Sequence, residues 1–507
     1  MSNHLYDALA ASISNRGKVL IELADGKRVS YGELFDLAER LASHLVRRGV
    51  VPGDRVAVQV EKSWQNLALY LACVRAGAVF LPLNTAYQLA EIDYFLGDAE
   101  PTFVVCRPES ETSVRALCQE LGKATVESLG TAGDGSLLKA AAGAPIVPAA
   151  ERGPDDLAAI LYTSGTTGRS KGAMLTHGNL LSNAKVLTDY WHFGEEDVLL
   201  HALPIFHTHG LFVACNVVLL SGASMIFLSR FDADEVMRLL PRATTMMAVP
   251  TFYVRLLDHR GLSRDSTKHM RLFTSGSAPL LAETHRAFFE RTGHAILERY
   301  GMTETNMNTS NPYEGDRLAG TVGFPLPGVE LRIVHAESGK PLPEGEVGIL
   351  EVRGPNVFHG YWRMPEKTKI EFRPDGFFIT GDVARIDERG YVHIVGRAKD
   401  LVITGGYNVY PKEVETELDA IPGVAESAVI GVPHPDFGEG VTAIIVPEKG
   451  VELSEDEVID ALAERLAKFK QPKRVFFVDE LPRNTMGKVQ KNVLRETYAQ
   501  TFSRAAG

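Results

Sequence analysis

With 507 residues, 45% of them hydrophobic and 23% charged, the chain has the balance of a globular protein that buries sizeable cores, and its length predicts about three or four structural units. A formal net charge of −11 argues against a nucleic-acid partner, whose affinity rests on Lys and Arg neutralising phosphates. The four cysteines (Cys73, Cys106, Cys118, Cys215) show no C-x-x-C and no His pair at ligand spacing, which argues against a disulfide frame or zinc site and for buried thiols in a reducing compartment.

The first residues, MSNHLYDALAASIS, carry no basic leader ahead of an apolar core, so a cytoplasmic location is expected. RVAVQV (Arg55 to Val60) reads as a strand and Glu61 to Ala76 as the helix after it. TFVVC, LAAILYT, SMIFL and RLFTSG repeat the strand signal, each closing on a Gly/Ser/Thr/Pro-rich turn. Alternation of this kind predicts an α/β fold of helix-flanked parallel sheets, with ligands gathered beyond the carboxyl ends of the strands. The greasiest stretch, Gly210 to Leu220, is too short for a bilayer, which needs about 20 apolar residues. After about Asp316 the short strands VELRIVH, VGILEVRG and GYVHIVGR, spaced by glycine and proline, predict a more antiparallel, barrel-like segment. A compact α+β tail follows Lys399. Its clearest helix starts at Ser454, where Ser454 and Glu457 form a capping box and Val458, Ile459, Leu462 and Leu466 supply an apolar stripe.

Directly after LAAILYT comes Thr163-Ser164-Gly165-Thr166-Thr167-Gly168-Arg-Ser-Lys171-Gly. Glycines let backbone N–H groups turn inward as an anion nest, hydroxyls add donors, and Lys171 adds a positive charge. The loop differs from a Walker A motif, because Ser170 stands where that motif needs Gly and Gly172 where Ser/Thr would bind magnesium. The spacing points to phosphate and does not name the nucleotide.

TSGTTGRSKG, YGMTE (Tyr300 to Glu304), TGD (Thr380 to Asp382), GRAKDLVITGGYNVYPKEVE (from Gly396) and PRNTMGK (Pro482 to Lys488) follow in order. Together they resemble the signature set of the adenylate-forming superfamily of acyl-CoA synthetases, along nearly the whole chain. Within it, ALPIFHTHGLF, SGSAPLLAETH and LERYGMTETNMNTSNPY look most like the malonate-activating members. The resemblance implies a large N-terminal domain, residues 1–398, of two helix-flanked sheets plus a β-barrel. It also implies a small mobile α+β C-terminal domain, residues 399–507, hinged at Lys399, that rotates between two half-reactions.

The implied chemistry joins a carboxylic acid to coenzyme A through an acyl-adenylate, at the expense of ATP. A carboxylate would have to expel oxide, so attack on the α-phosphate first makes a mixed anhydride with AMP as the later leaving group. Positive charge must then meet the phosphates and the transition state, and Mg2+ should bridge phosphate oxygens. By resemblance Glu304 is the magnesium ligand and Thr303 touches phosphate; unaided, Glu304 reads equally as a turn carboxylate. Asp382 and Arg397 match the ribose contacts. Tyr300 and the loop Gly276-Ser277-Ala278-Pro279 match the adenine walls. Lys488 matches the lysine that bridges the acid and the α-phosphate, against a bland reading as a solvated lysine. Gly405 and Gly406 match the pantetheine channel. The basic run from Lys468 to Arg474 suits either coenzyme A phosphates or a solvated helix end. Lys488 is also a candidate target for a lysine acetyltransferase, since losing its charge should silence the first step.

Arg299 and Ser277 bear on the acid. An Arg facing the acyl pocket needs a negative partner, which a short dicarboxylate such as malonate, with or without a small 2-substituent, would bring. Alternatively Arg299 turns away to pair with Glu298 or Glu304. His207, in PIFHTHG, matches a family histidine near the acyl site, with aromatic packing as the plain alternative. Ligation of another aryl or aliphatic acid, loading of a carrier protein, and nucleotide binding without turnover stay open at this point.

Overall fold

The computed structural model describes residues 2–122, 124–163, 170–404, 407–463, 465–484 and 487–502. The chain divides into two compact units, the first comprising Met1–Glu330 with Val352–Phe378 and the second Leu331–Glu351 with Ile379–Gly507.

The first unit is built on two large sheets. One has six strands in the order Thr125–Ser128, Phe103–Cys106, Arg55–Gln59, Val79–Pro82, Leu157–Thr163 and Lys171–Thr176, parallel except for the last pair. The other has nine, parallel through its centre from Leu297–Met302 across Leu272–Ser275, Thr245–Ala248, Val198–His201 and Ser224–Phe227 to Val19–Leu23, with antiparallel strands at both edges. The strands expected from β-branched runs are present. The helix after the Arg55–Gln59 strand runs Trp64–Ala76 rather than from Glu61. Its start is fixed by Ser63, whose hydroxyl accepts the Asn66 N–H at 3.1 Å, and its end by Gly77 at φ 72. Apolar nearly all round, it lies wholly inside the main core, which draws on both sheets through Ala159, Leu161, Leu199 and Phe227. All four cysteines are buried and free, which agrees with the composition.

One connection differs from a helical crossover. KGAMLT returns as a strand against LAAILYT, with Thr163 opposite Lys171. The glycine-rich loop therefore joins two antiparallel strands, and Lys171 is held by sheet hydrogen bonds instead of a helix start.

A four-stranded sheet (Glu330–Val334, Gly348–Arg353, Phe378–Ile386, Val392–Arg397) occupies the stretch after Asp316 and falls mostly in the second unit. The rest of that unit is a five-stranded sheet around the long hairpin Val424–His434 and Gly438–Pro447, flanked by helices Pro411–Leu418, Glu455–Ala463 and Lys491–Thr497. Ser454 and Glu457 make the reciprocal cap bonds expected of them, and Val458, Leu462 and Leu466 enter the core. Among the described residues no helix is long and apolar enough to cross a membrane.

Candidate active site

Two parallel strands of the large sheet end where the motifs predict chemistry. Leu272–Ser275 runs into Gly276-Ser277, and Leu297–Met302 runs into a turn carrying Thr303 and Glu304 before the chain doubles back as Asn306–Ser310. This is the carboxyl-end geometry at which open α/β sheets bind ligands. Thr303 and His207 line one cavity, walled also by Phe206, Tyr87 and Leu161. Glu304 is buried, and its Oε1 accepts the Tyr361 hydroxyl at 3.0 Å. Lys171 is buried too, with its ammonium 4.2 Å from the centre of the Tyr361 ring and 3.3 Å from Glu371. Lys171 and Glu304, far apart in sequence, are thus joined through one tyrosine.

No group of three or more metal-binding side chains occurs among the described residues. The donor set suits Mg2+ nonetheless, since that ion is commonly held by one or two carboxylates together with substrate phosphates and water. Glu304 would be its protein ligand, and the ion would draw charge from the phosphates.

Arg299 lies on the Leu297–Met302 strand with its side chain 3% exposed. Its Nε and Nη2 find no hydrogen-bond partner among the described residues. The alternative of pairing with Glu298 is not what forms: that carboxylate takes His285 at 3.3 Å and the Gly320 N–H at 3.2 Å. Burial pulls the Arg299 pKa down to about 9, with Tyr253 offsetting part of this, so the group is still cationic at neutral pH. Gly276 is where the guanidinium rests. A Cβ there would stand 2.3 Å from Cζ and Nη1 of Arg299, so only glycine admits the side chain. Ser277 adopts a left-handed backbone (φ 71), and its hydroxyl meets His209 Nδ1 at 3.2 Å. His209 is buried in a π-helical segment, His209–Cys215, and its Nε2 has no partner among the described residues. Burial and then the nearby Arg299 hold its pKa well below the usual imidazole value, so it is neutral. Among the described residues, the buried Arg299 cation and the neutral His209 imidazole both keep ring or guanidinium nitrogens that no partner fills. Tyr300 is half-buried, its hydroxyl 3.9 Å from Met302 Sδ, and Ala278 is partly exposed.

In the second unit, Asp382 and Arg397 sit opposite each other on paired strands, with Arg397 Nε 2.8 Å from Asp382 Oδ1. The carboxylate is buried and its orientation is set by that guanidinium. Lys399 is exposed in a 3-10 turn, Ala398–Asp400. Lys488 is exposed in a loop whose backbone is closed by Asn484: the Lys488 N–H donates to Asn484 Oδ1 at 3.0 Å, and the Asn484 N–H to the Lys488 carbonyl at 2.9 Å. In the basic run, Lys470 pairs with Glu413, and Arg474 pairs with Glu455 at 3.0 Å. Those pairings favour a solvated surface over a cluster reserved for phosphates. Ser164, Gly165, Thr166, Thr167, Gly168, Gly405 and Gly406 lie outside the described residues.

Sequence reasoning singled out His207 and passed over His209, Tyr361 and Glu371. The second histidine of PIFHTHG was visible as a letter, but its burial and its contact with Ser277 set it apart from the first. Tyr361 and Glu371 belong to no motif used above and reach the site through the fold.

The AMP-binding enzyme family matches residues 10–362, and the AMP-binding enzyme C-terminal domain matches residues 413–488. The chain is 38% identical to a feruloyl-CoA synthase of Amycolatopsis sp, over 93% of this chain and 94% of that one. It is 37% identical to the mitochondrial malonate–CoA ligase ACSF3 of Mus musculus, over 92% of this chain and 87% of that one. The crystal structure of ATP-bound MatB from Rhodopseudomonas palustris superposes with a TM-score of 0.97 at 63% identity, covering 99% of this chain and all of that one.

Proposed function

The chain belongs to the AMP-binding enzyme family, and from that premise we propose that it ligates malonate to coenzyme A through malonyl-AMP, releasing pyrophosphate and then AMP. The observation that carries the choice of acid is the buried guanidinium of Arg299, whose Nε and Nη2 have no partner among the described residues, near neutral His209. A monocarboxylate would leave that cation alone, whereas the second carboxylate of malonate would meet a fork of matching geometry.

In this reading Lys171 and the glycine-rich loop hold the phosphates, Glu304 holds Mg2+, and Asp382, oriented by Arg397, accepts the ribose hydroxyls. Tyr300, Gly276 and Ala278 border the adenine, Thr303 touches phosphate, and His207 with Ser277 borders the acid. Lys488 stabilises the charge that builds as the carboxylate attacks the α-phosphate. It then withdraws as the C-terminal part turns about Lys399, and Gly405 and Gly406 line the thiol's path. The hinge position falls between the two family matches, which end at 362 and begin at 413. Exposure of Lys488 also suits it to a lysine acetyltransferase, and the absence of an apolar spanning helix among the described residues fits a cytoplasmic setting.

A panel of acids tests the assignment by specificity constant: malonate, methylmalonate, succinate, acetate and an aromatic acid such as ferulate. Malonate or its 2-methyl form should lead. A preference for ferulate or acetate would overturn the choice of acid while keeping the enzyme class. Pyrophosphate release without coenzyme A, dependent on the acid, reports the adenylate step.

A further inference from the structure

Glu371 closes the short helix Pro365–Glu371. Its Oε1 lies 3.3 Å from the ammonium of Lys171 and 2.7 Å from that of Lys367. Its Oε2 faces the Tyr361 hydroxyl at 2.8 Å, the same hydroxyl that lies 3.0 Å from Glu304. The side chains of Lys171 and Glu371 are 10% and 19% exposed. An ammonium so enclosed is costly without an anion beside it. A phenol has one proton, so Tyr361 donates to one of its two carboxylates at a time.

We propose that Glu371 is a positioning residue of the phosphate site: the resident counter-ion of Lys171, displaced when the triphosphate of ATP arrives and re-paired when pyrophosphate leaves. The proposal rests on the reading of Lys171 as a phosphate ligand. In the absence of nucleotide Glu371 keeps the lysine charged and in place. ATP must outcompete the same negative charge, so Glu371 weakens nucleotide binding and hastens departure of the leaving group. Tyr361 couples this exchange to Glu304. Were Glu304 engaged by a cation, the Tyr361 hydroxyl would be left to Glu371 and would hold that carboxylate while Lys171 turns to phosphate.

The test is Glu371→Gln, with Kd for ATP measured by equilibrium binding in the absence of acid and steady-state pyrophosphate release measured alongside. Kd and KM for ATP should fall about tenfold, or about 1.4 kcal/mol, while kcat falls and product inhibition by pyrophosphate tightens. A merely structural glutamate would raise KM instead. In a Lys171→Met background the same substitution should leave Kd unchanged, because the two residues act as a pair. A folded Glu371→Gln protein whose Kd for ATP is unchanged or weaker overturns the proposal. Lys171→Met binding ATP as tightly as the parent would overturn the underlying reading of the phosphate loop. If the glutamine variant does not fold, Glu371→Asp, which withdraws the carboxylate by one methylene, should tighten ATP binding to a smaller degree; weakening there overturns the proposal equally.

Discussion

Replacing Arg299 by Met removes a charge while keeping much of the volume. The guanidinium is buried against Gly276 and, among the described residues, lacks partners at Nε and Nη2. Leaving one member of a buried charge pair alone costs about 3–5 kcal/mol, roughly two to three and a half decades in a specificity constant. Burial pulling its pKa down to about 9 points the same way, since it marks a charged form that the surroundings leave poorly compensated. Arg299→Met should therefore lower kcat/KM for malonate by roughly two to three and a half decades and leave that for acetate unchanged or raised, in an acid-dependent pyrophosphate-release assay. The ligand-free variant should also melt higher than the parent, because the buried charge it loses had no partner to keep. A variant that processes malonate like the parent, or loses both acids equally, would refute the reasoning.

Gly276→Ala should displace Arg299, since a Cβ 2.3 Å from the guanidinium carbon must move that side chain from its seat; malonate turnover should fall by at least tenfold, or about 1.4 kcal/mol, and acetate turnover by less. Lys488→Ala should abolish pyrophosphate release yet keep thioester formation from supplied malonyl-AMP, and acetylated protein should behave the same way; equal loss of both steps would contradict the hinge. Burial raises the Asp419 pKa to about 6 in the second unit, with the Ser427 hydroxyl donating to it at 2.7 Å. The native state then holds more protons than the unfolded chain between about pH 4 and 6, so this group's contribution to stability falls as pH rises through that window. Asp419→Asn should stabilise the protein by about 1–3 kcal/mol at pH 7 and by little at pH 4, as read by urea denaturation at the two pH values.

The sequence by itself determined the local elements and the order of the motifs. Strand runs and the Ser454–Glu457 cap depend on neighbours a few residues apart, where propensity and hydrogen bonding are decided, whereas the Ser63 cap that moves a helix start from Glu61 to Trp64 shows only in the structure. It also marked Glu304, Asp382 and Lys171 as positions carrying charge in register with a family pattern. Only the tertiary structure decided which groups meet. Lys171 and Glu371 are 200 residues apart, and Tyr361 and Glu304 are 57 apart. His209 is set apart from His207 by its burial and its contact with Ser277, and Gly276 is glycine because a guanidinium from another strand lies on it. Such contacts follow from how the sheets stack, and no spacing along the chain encodes them.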